Sequence, residues 1–266
     1  MQHVTSRHNP RLKEAARLVA SARDRRKAGK CVLEGEHLVA VYAERYGAPE
    51  SLVVAEDAIA RPAIAALIER HADRAVVVPA KLFAELAVLP AGVGMLAVVA
   101  APESPVGAPG DFCLLLDGIQ DPGNVGSMLR TAAAAGVGDV LLSSHCAFAW
   151  SPKVLRAGQG AHFFLRIHED VDLPVWAAAY RAGGGDVVAT VAVGGASLFA
   201  TPFAKCVAVA IGNEGAGLSP ELAAAASVRV TIPMPGGTES LNAAAAAAIC
   251  LYECVRQRGG PRSATG

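Results

Sequence analysis

The sequence predicts two α/β units in series, a small one first and then a larger one built on a mostly parallel sheet. Three observations carry that reading. Short β-rich runs alternate with helical stretches along nearly the whole chain. After residue 112 the β-rich runs are almost continuously apolar, as expected of strands covered on both faces. Between the two parts, AAPESPVGAPGDF at 100–112 holds three Pro and two Gly and has no apolar period. The expected division is a first unit over 1–99, a linker over 100–111, a second unit over 112–258 and a flexible tail over 259–266.

Each element has a local reason. Asn9-Pro10 supplies a cap and a proline for the first helical position, and Gly29 a stop, so a helix is expected over 9–28. Strands follow at 31–35, 51–56, 75–79 and 95–100, with helices at 37–46, 61–72 and 80–88. In the second unit strands are expected at 112–119, 139–144, 162–167, 186–192, 206–212 and 228–234, and helices at 124–135, 151–157, 173–182, 219–226 and 240–257. Ligands of such sheets bind beyond the carboxyl ends of the strands, which directs attention to the loops after 119, 192, 212 and 234.

The chain has 266 residues and is 53% apolar, enough to bury a core and far from a disordered composition. No apolar run is long enough to span a membrane, and MQHVTSRHNPRLK lacks the apolar centre of a signal peptide, so a cytoplasmic protein is expected. The six Cys form no CxxC. Cys250 and Cys254 lie one helical turn apart, but nothing joins them at metal spacing, so reduced thiols and no metal are expected. Net charge is zero, yet residues 1–30 carry nine Lys/Arg against Glu14 and Asp24, a local +7. Such an end suits a polyanion, or is simply a basic solvated helix face.

Three loops stand out. LDGIQDPGNVGSMLR, 116–130, places Asn124, Gly126 and Arg130 where a strand turns into a helix. It is neither GxxxxGK[ST] nor GxGxxG, and a well-capped connection would look similar. VAIGNEGAGLSPEL, 209–222, sets Gly212, Gly215 and Gly217 after a strand. Three glycines so close imply positive φ or a close backbone approach. Glu214 among them disfavours an anion and suits a neutral or cationic ligand, or a structural acceptor role. TIPMPGGTESLN, 231–242, ends a strand in Pro and Gly and starts an alanine-rich helix with Ser240 and Asn242, as caps or as a site. His145 and His162 are lone histidines beside strands and read as structural.

Taken in order, these loops resemble the three sequence motifs of the SpoU (TrmH-like) family of RNA 2′-O-ribose methyltransferases, within the SPOUT superfamily. Asn124, Gly126 and Arg130 look like motif one, Gly212 to Leu218 like motif two, and Ile232-Pro233-Met234 with Ser240-Leu241-Asn242 like motif three. SRHNPRLKEAARL and VLEGEHLV resemble, more loosely, the RNA substrate-binding domain that precedes many such catalytic domains. Two departures are Ala243, where relatives often carry a β-branched residue, and AGQGA at 157–161, where they often carry a Ser before Gly-Ala.

The resemblance implies a catalytic domain whose sheet is threaded into a trefoil knot, a homodimer, and S-adenosylmethionine bound in a bent shape and converted to S-adenosylhomocysteine without a metal. It implies Asn124, Arg130, Ser240 and Asn242 as the catalytic group and Gly212, Glu214, Gly215, Ile232, Met234 and Leu241 as cofactor contacts. Arg7, Arg11, Lys13, Arg25, Arg26, Lys27 and Arg130 are the expected RNA contacts. The family's proposed base is the arginine at 130, but a guanidinium does not give up its proton near neutral pH. A phosphate anchor that stabilises a developing alkoxide is the better physical role. Ribosomal RNA is favoured over transfer RNA by the N-terminal part. An NAD(P) oxidoreductase on a doubly wound sheet would need a GxGxxG that is missing. A non-catalytic RNA binder on the same scaffold would have lost Asn124, Arg130 or Ser240-Leu241-Asn242, all of which are present.

Overall fold

Buried β-branched runs form two separate sheets. The computed structural model describes residues 1–87, 93–104, 108–236 and 240–259. Parts of the predicted linker (105–107), the Gly237–Glu239 stretch and most of the predicted tail (260–266) lie outside the described residues. The chain clusters into two units, Met1–Glu103 with Trp150–Phe163, and Ser104–Ala149 with Phe164–Gly266.

In the first unit the strands are β1 (Gln2–His3), β2 (Lys30–Glu34), β3 (Ser51–Ala55), β4 (Ala75–Val78) and β5 (Met95–Ala100), ordered β1-β4-β3-β5-β2. β1, β4 and β3 are parallel, while β5 runs antiparallel to both β3 and β2. Helices α1 (Pro10–Ala20), α2 (Ala22–Ala28), α3 (Glu36–Tyr46), α4 (Pro62–Arg70) and α5 (Ala80–Leu86) accompany it. The single helix expected over 9–28 is broken. Ser21 is extended and its hydroxyl accepts from the Asp24 N–H, because a serine side chain competes with the helix for backbone donors and starts a new cap. Gly29 stops α2 in the left-handed conformation, as expected.

The second unit carries β6 (Phe112–Asp117), β7 (Asp139–Leu142), β8 (Arg166–His168), β9 (Asp186–Thr190), β10 (Ala196–Ser197), β11 (Val207–Gly212) and β12 (Val228–Thr231). Their order is β10-β12-β9-β11-β6-β7-β8, and every neighbouring pair is parallel. Helices α6 (Pro122–Ala135), α8 (Leu173–Ala182), α9 (Pro220–Ala225) and α10 (Ala243–Gln257) belong to this unit. One face of the sheet buries Cys113, Leu115, Val187 and Ala210 with Ala177 and Tyr180 of α8 and Leu222 of α9. No helix among the described residues is long and apolar enough to cross a membrane.

One expected strand, 162–167, is largely absent. Ala161–Phe164 is a 3-10 turn and only Arg166–His168 joins the sheet. His162 and Phe163 are buried instead, the first against Trp150 and the second edge-on to Tyr42, so packing overrides an apolar run that reads as a strand. The preceding α7 (Pro152–Gly158) packs on β2, which places 150–163 with the first unit.

The amino ends of the strands are fastened by one buried carboxylate. Asp139 accepts from Arg166 Nε at 2.7 Å, from the Gly110 N–H at 2.9 Å, and pairs with His168 Nε2 at 3.0 Å. Burial pushes this carboxyl up, but the bonds from His168, Arg166 and Gly110 outweigh it and hold it well below the usual carboxylate range. Asp139→Asn is expected to cost about 2 kcal/mol in urea unfolding at pH 7, below the full cost of a broken buried pair because Arg166 is half exposed. A depressed pKa stabilises above the unfolded value, about 4, and is lost as pH falls. The wild type should therefore lose more stability than the variant between pH 5 and about 3, read as the shift in urea midpoint.

Candidate active site

The β11–α9 loop folds because of its asparagine and its glycines. The Asn213 N–H donates to the Gly217 carbonyl at 2.9 Å and the Gly217 N–H to the Asn213 carbonyl at 2.9 Å, closing a tight loop. Inside it, Asn213 Oδ1 accepts from the Gly215 N–H at 2.9 Å and the Ala216 N–H at 3.0 Å. Gly217 has φ +72°, and a Cβ at 212 would overlap the backbone of Gly217 and Leu218. Asn213 Nδ2 also donates to the Gly118 carbonyl at 2.8 Å, tying this loop to the β6–α6 turn. Asp117 Oδ2 does the same from the other strand end, accepting from the Ser219 N–H at 2.8 Å and the Ser219 hydroxyl at 2.7 Å. Sequence reasoning placed Asn213 in motif two but gave it no role, and it gave none to Asp117. The signal was an Asn two residues ahead of a Gly in a turn, which is Asx-turn chemistry.

The two flanking helices present their starts to this loop. α6 begins at Pro122 rather than near Asn124, because Asp121 Oδ1 accepts from the Asn124 N–H at 2.7 Å and caps it. Asn124 therefore stands in the first turn. α10 begins at Ala243, not at 240. Asn242 is its cap, with Oδ1 accepting from the Ala244 N–H at 2.9 Å and the Ala245 N–H at 3.2 Å, and Ser240 precedes the helix. Capping and site were alternatives in the sequence; Asn242 caps the helix and also reaches a neighbouring motif loop. Its Nδ2 donates to Asn124 Oδ1 at 3.0 Å, and Asn124 Nδ2 donates to Glu214 Oε1 at 2.6 Å. One string of side chains thus joins all three motif loops.

Beside that string lies a pocket of about 430 Å3. Gly212, Glu214, Gly215, Ile232, Met234 and Leu241 all line it, as does Ser240. Part of its wall comes from the end of β9 and the residues after it, Thr190 to Val193, which the expected loop after 192 already indicated. Beneath it Thr190 and the buried Cys250 touch at 3.6 Å, and burial pushes the Cys250 thiol up to about 11. Arg130 is not drawn in. It lies on the exposed side of α6, six residues past Asn124 and so about 120° around the helix, and makes no ion pair among the described residues.

The N-terminal basic residues separate into two kinds. Arg25 corrects an expectation. It is 5% exposed, and its guanidinium donates to the carbonyls of Leu18 and Val19, so a phosphate cannot reach it. Its charge is spent on the carbonyls that the break at Ser21 leaves at the end of α1. Arg11 donates to the carbonyls of Asp73 and Arg74 at 3.2 Å and clips α1 to the turn before β4. Arg7 is exposed beside Glu85, and Lys13, Arg26 and Lys27 are exposed.

The SpoU rRNA Methylase family model matches residues 111–252, the unit that holds this pocket. The chain belongs to that family. It is 31% identical over 252 residues, 95% of this chain and 98% of the other, to the 23S rRNA (guanosine(2553)-2'-O)-methyltransferase RlmP of Bacillus subtilis. Its fold is similar to that of the SpoU methyltransferase AviRb from Streptomyces viridochromogenes in complex with AdoMet, with a TM-score of 0.83 and 29% identity over 96% of this chain and all of that one. The AdoMet-bound rRNA methyltransferase from Sinorhizobium meliloti matches with a TM-score of 0.82 and 28% identity over 96% of this chain and 97% of that one. As a SpoU-family protein the chain is an S-adenosylmethionine-dependent RNA 2′-O-methyltransferase.

The pocket suits that cofactor. Its volume falls in the range of small-molecule sites, its walls are mostly apolar, and its polar groups are loop backbone, the carboxylate of Glu214 and the side chains of Thr190, Asn213 and Ser240. Gly212→Ala must push β11 and its loop apart. It is expected to abolish S-adenosylmethionine binding in calorimetry and to lower the melting temperature, whereas Gly236→Ala, with open space around it, should do neither.

Proposed function

We propose that this methyltransferase acts on a ribose 2′-hydroxyl of ribosomal RNA. The single observation that carries the site is the string from Asn242 through Asn124 to Glu214, which gathers three sequence-distant motifs at the rim of one pocket. Ribosomal RNA is supported by the substrate named for the Bacillus subtilis relative, which this chain matches over nearly its full length.

In this reading Gly212, Glu214, Gly215, Ile232, Met234 and Leu241 hold the cofactor. When bound, S-adenosylmethionine supplies a methyl carbon on a sulfonium whose departing sulfur is neutral, so no metal is required. Ser240, on the pocket wall, orients the incoming ribose. Asn124 and Asn242 hold the geometry of the rim. In this reading Arg130, exposed and without an ion-pair partner among the described residues, takes a phosphate of the bound RNA and from there stabilises charge developing on the 2′-oxygen. A guanidinium keeps its proton, so the proton of the hydroxyl goes to water or another group. Arg7, Lys13, Arg26 and Lys27 contact RNA phosphates from the first unit, and Arg25 and Arg11 support the surface that carries them. The trefoil knot and homodimer of the family belong to the same proposal, the knot supported by the strand order and the similarity to SpoU structures.

The test is methyl transfer from labelled S-adenosylmethionine to ribosomal and transfer RNA pools lacking the modification, with mass spectrometry of the digested nucleosides. A 2′-O-methyl nucleoside from the ribosomal pool, lost with Asn124→Ala, is expected. Transfer to the tRNA pool alone would overturn the substrate. Arg130→Lys should lower kcat/KM by roughly tenfold or more, since a lysine lacks the planar fork. Near-full activity would remove the special role of the guanidinium.

RNA affinity supplies a separate check. Lys13→Ala and Lys27→Ala should each weaken RNA binding and reduce the slope of log affinity against log salt by about one unit. Arg25→Met should instead lower the unfolding midpoint and leave that slope unchanged.

A further inference from the structure

An amide side chain has a donating end and an accepting end, and here neither asparagine is free to choose. Asn242 Oδ1 is occupied by the N–H groups of Ala244 and Ala245. Its Nδ2 is therefore the end that faces Asn124, whose Oδ1 accepts. That leaves Asn124 Nδ2 to donate, and it does so to Glu214 Oε1 at 2.6 Å, a short, charge-assisted bond. The polarity runs one way, from the unpaired N–H groups that begin α10 to a single carboxylate on the pocket wall. Nothing in ordinary capping requires the last two links.

We propose that Asn242 and Asn124 are positioning residues for Glu214, and that Glu214 distinguishes S-adenosylmethionine from S-adenosylhomocysteine by charge. The inference rests on the reading that the pocket holds the cofactor. Glu214 is the wall residue bonded to Asn124, so its carboxylate marks the end of the pocket where the motif-one and motif-three side chains meet. In the reaction the O–CH3 bond forms and the S–CH3 bond breaks. The sulfur keeps the bonding pair and becomes neutral, and the hydroxyl proton leaves. The two ligands thus differ by one methyl group and one positive charge, both at the reacting end. The adenine, ribose, amino and carboxylate groups are common to both.

A carboxylate held at the reacting end therefore attracts the charged form and not the product. The same attraction opposes dispersal of the charge during transfer, and the hydrogen bond from Asn124 tempers it by taking part of the carboxylate's charge. What the chain gains is release: once the methyl has gone, the site loses its hold on the product. The pairing depends on the string, because the amide of Asn124 holds the Glu214 carboxylate at this end of the pocket.

The test is calorimetric titration of the full chain, without RNA, with each ligand in turn. The readout is the ratio of Kd for S-adenosylhomocysteine to Kd for S-adenosylmethionine. Glu214→Gln keeps an oxygen for Asn124 but removes the charge, and is expected to lower the ratio roughly tenfold. Asn242→Ser keeps a capping oxygen for Ala244 and Ala245 but is too short to reach Asn124 and adds no charge, so Asn124 is no longer held towards Glu214. It should lower the ratio in the same direction although it removes no charge from Glu214 itself. The double variant should add little to either. A ratio unchanged in Glu214→Gln would overturn charge discrimination, and one unchanged only in Asn242→Ser would overturn the positioning role. A wild-type chain that binds neither ligand would overturn the cofactor pocket itself, and with it this inference.

Discussion

The parallel pairing of β6 with β11 is the constraint from which the site follows. Leu116 lies opposite Ile211 and Asp117 opposite Gly212, so two strands far apart in sequence end at the same level. Their following loops must then share one space. They do so only because Gly212 lacks a side chain where the backbone of Gly217 doubles back, and because Asp117 and Asn213 each reach across to the other's loop, Asn213 while also bracing its own. Shift the register by one residue and every side chain of the strand changes face, taking these two polar groups out of reach.

The charges at the two ends of the sheet are treated differently. At the amino ends, Asp139 is buried and saturated by Arg166, His168 and the Gly110 backbone, an arrangement that fastens the segment entering β6. At the carboxyl ends, Glu214 is exposed to the pocket and bonded by a neutral amide. The first carboxylate has no interaction left to offer a ligand. The second has one oxygen directed by the protein and charge to spare, as expected of a group that meets an incoming cation. A protein needs both kinds, and their placement at opposite ends keeps the structural charge from competing with the functional one.

The alanine run of α10 acquires a meaning in this setting. Ala243 and Ala247 are buried, Ala246 lines the pocket, and the helix packs closely on α6. A larger side chain at these positions would hold the two helix starts apart, and Asn242 could not reach Asn124. Helix propensity, close packing and the amide string therefore favour the same residue.

Periodicity and punctuation in the sequence were enough to locate nearly every element, since local propensity and burial agree along most of this chain. The three motif loops were legible as well, because glycine, proline and asparagine leave a trace wherever backbone is forced into tight turns. The fate of particular charges was not legible. Arg25 and Lys27 look alike in a basic run, but the break at Ser21 turns one inward onto carbonyls and leaves the other in solvent. The apolar run at 162–167 could pair as a strand or pack as a turn, and the aromatic environment of Tyr42 and Trp150 chose the turn. The cap fixes which way the Asn242 amide points, but only the approach of α6 to α10 gave its free end a partner in Asn124. What the sequence by itself determined was the set of local preferences, each decided within a few residues. What the tertiary structure decided was which polar groups meet across 90 or more residues, because a hydrogen bond depends on the position and direction of both partners and no local pattern carries the second.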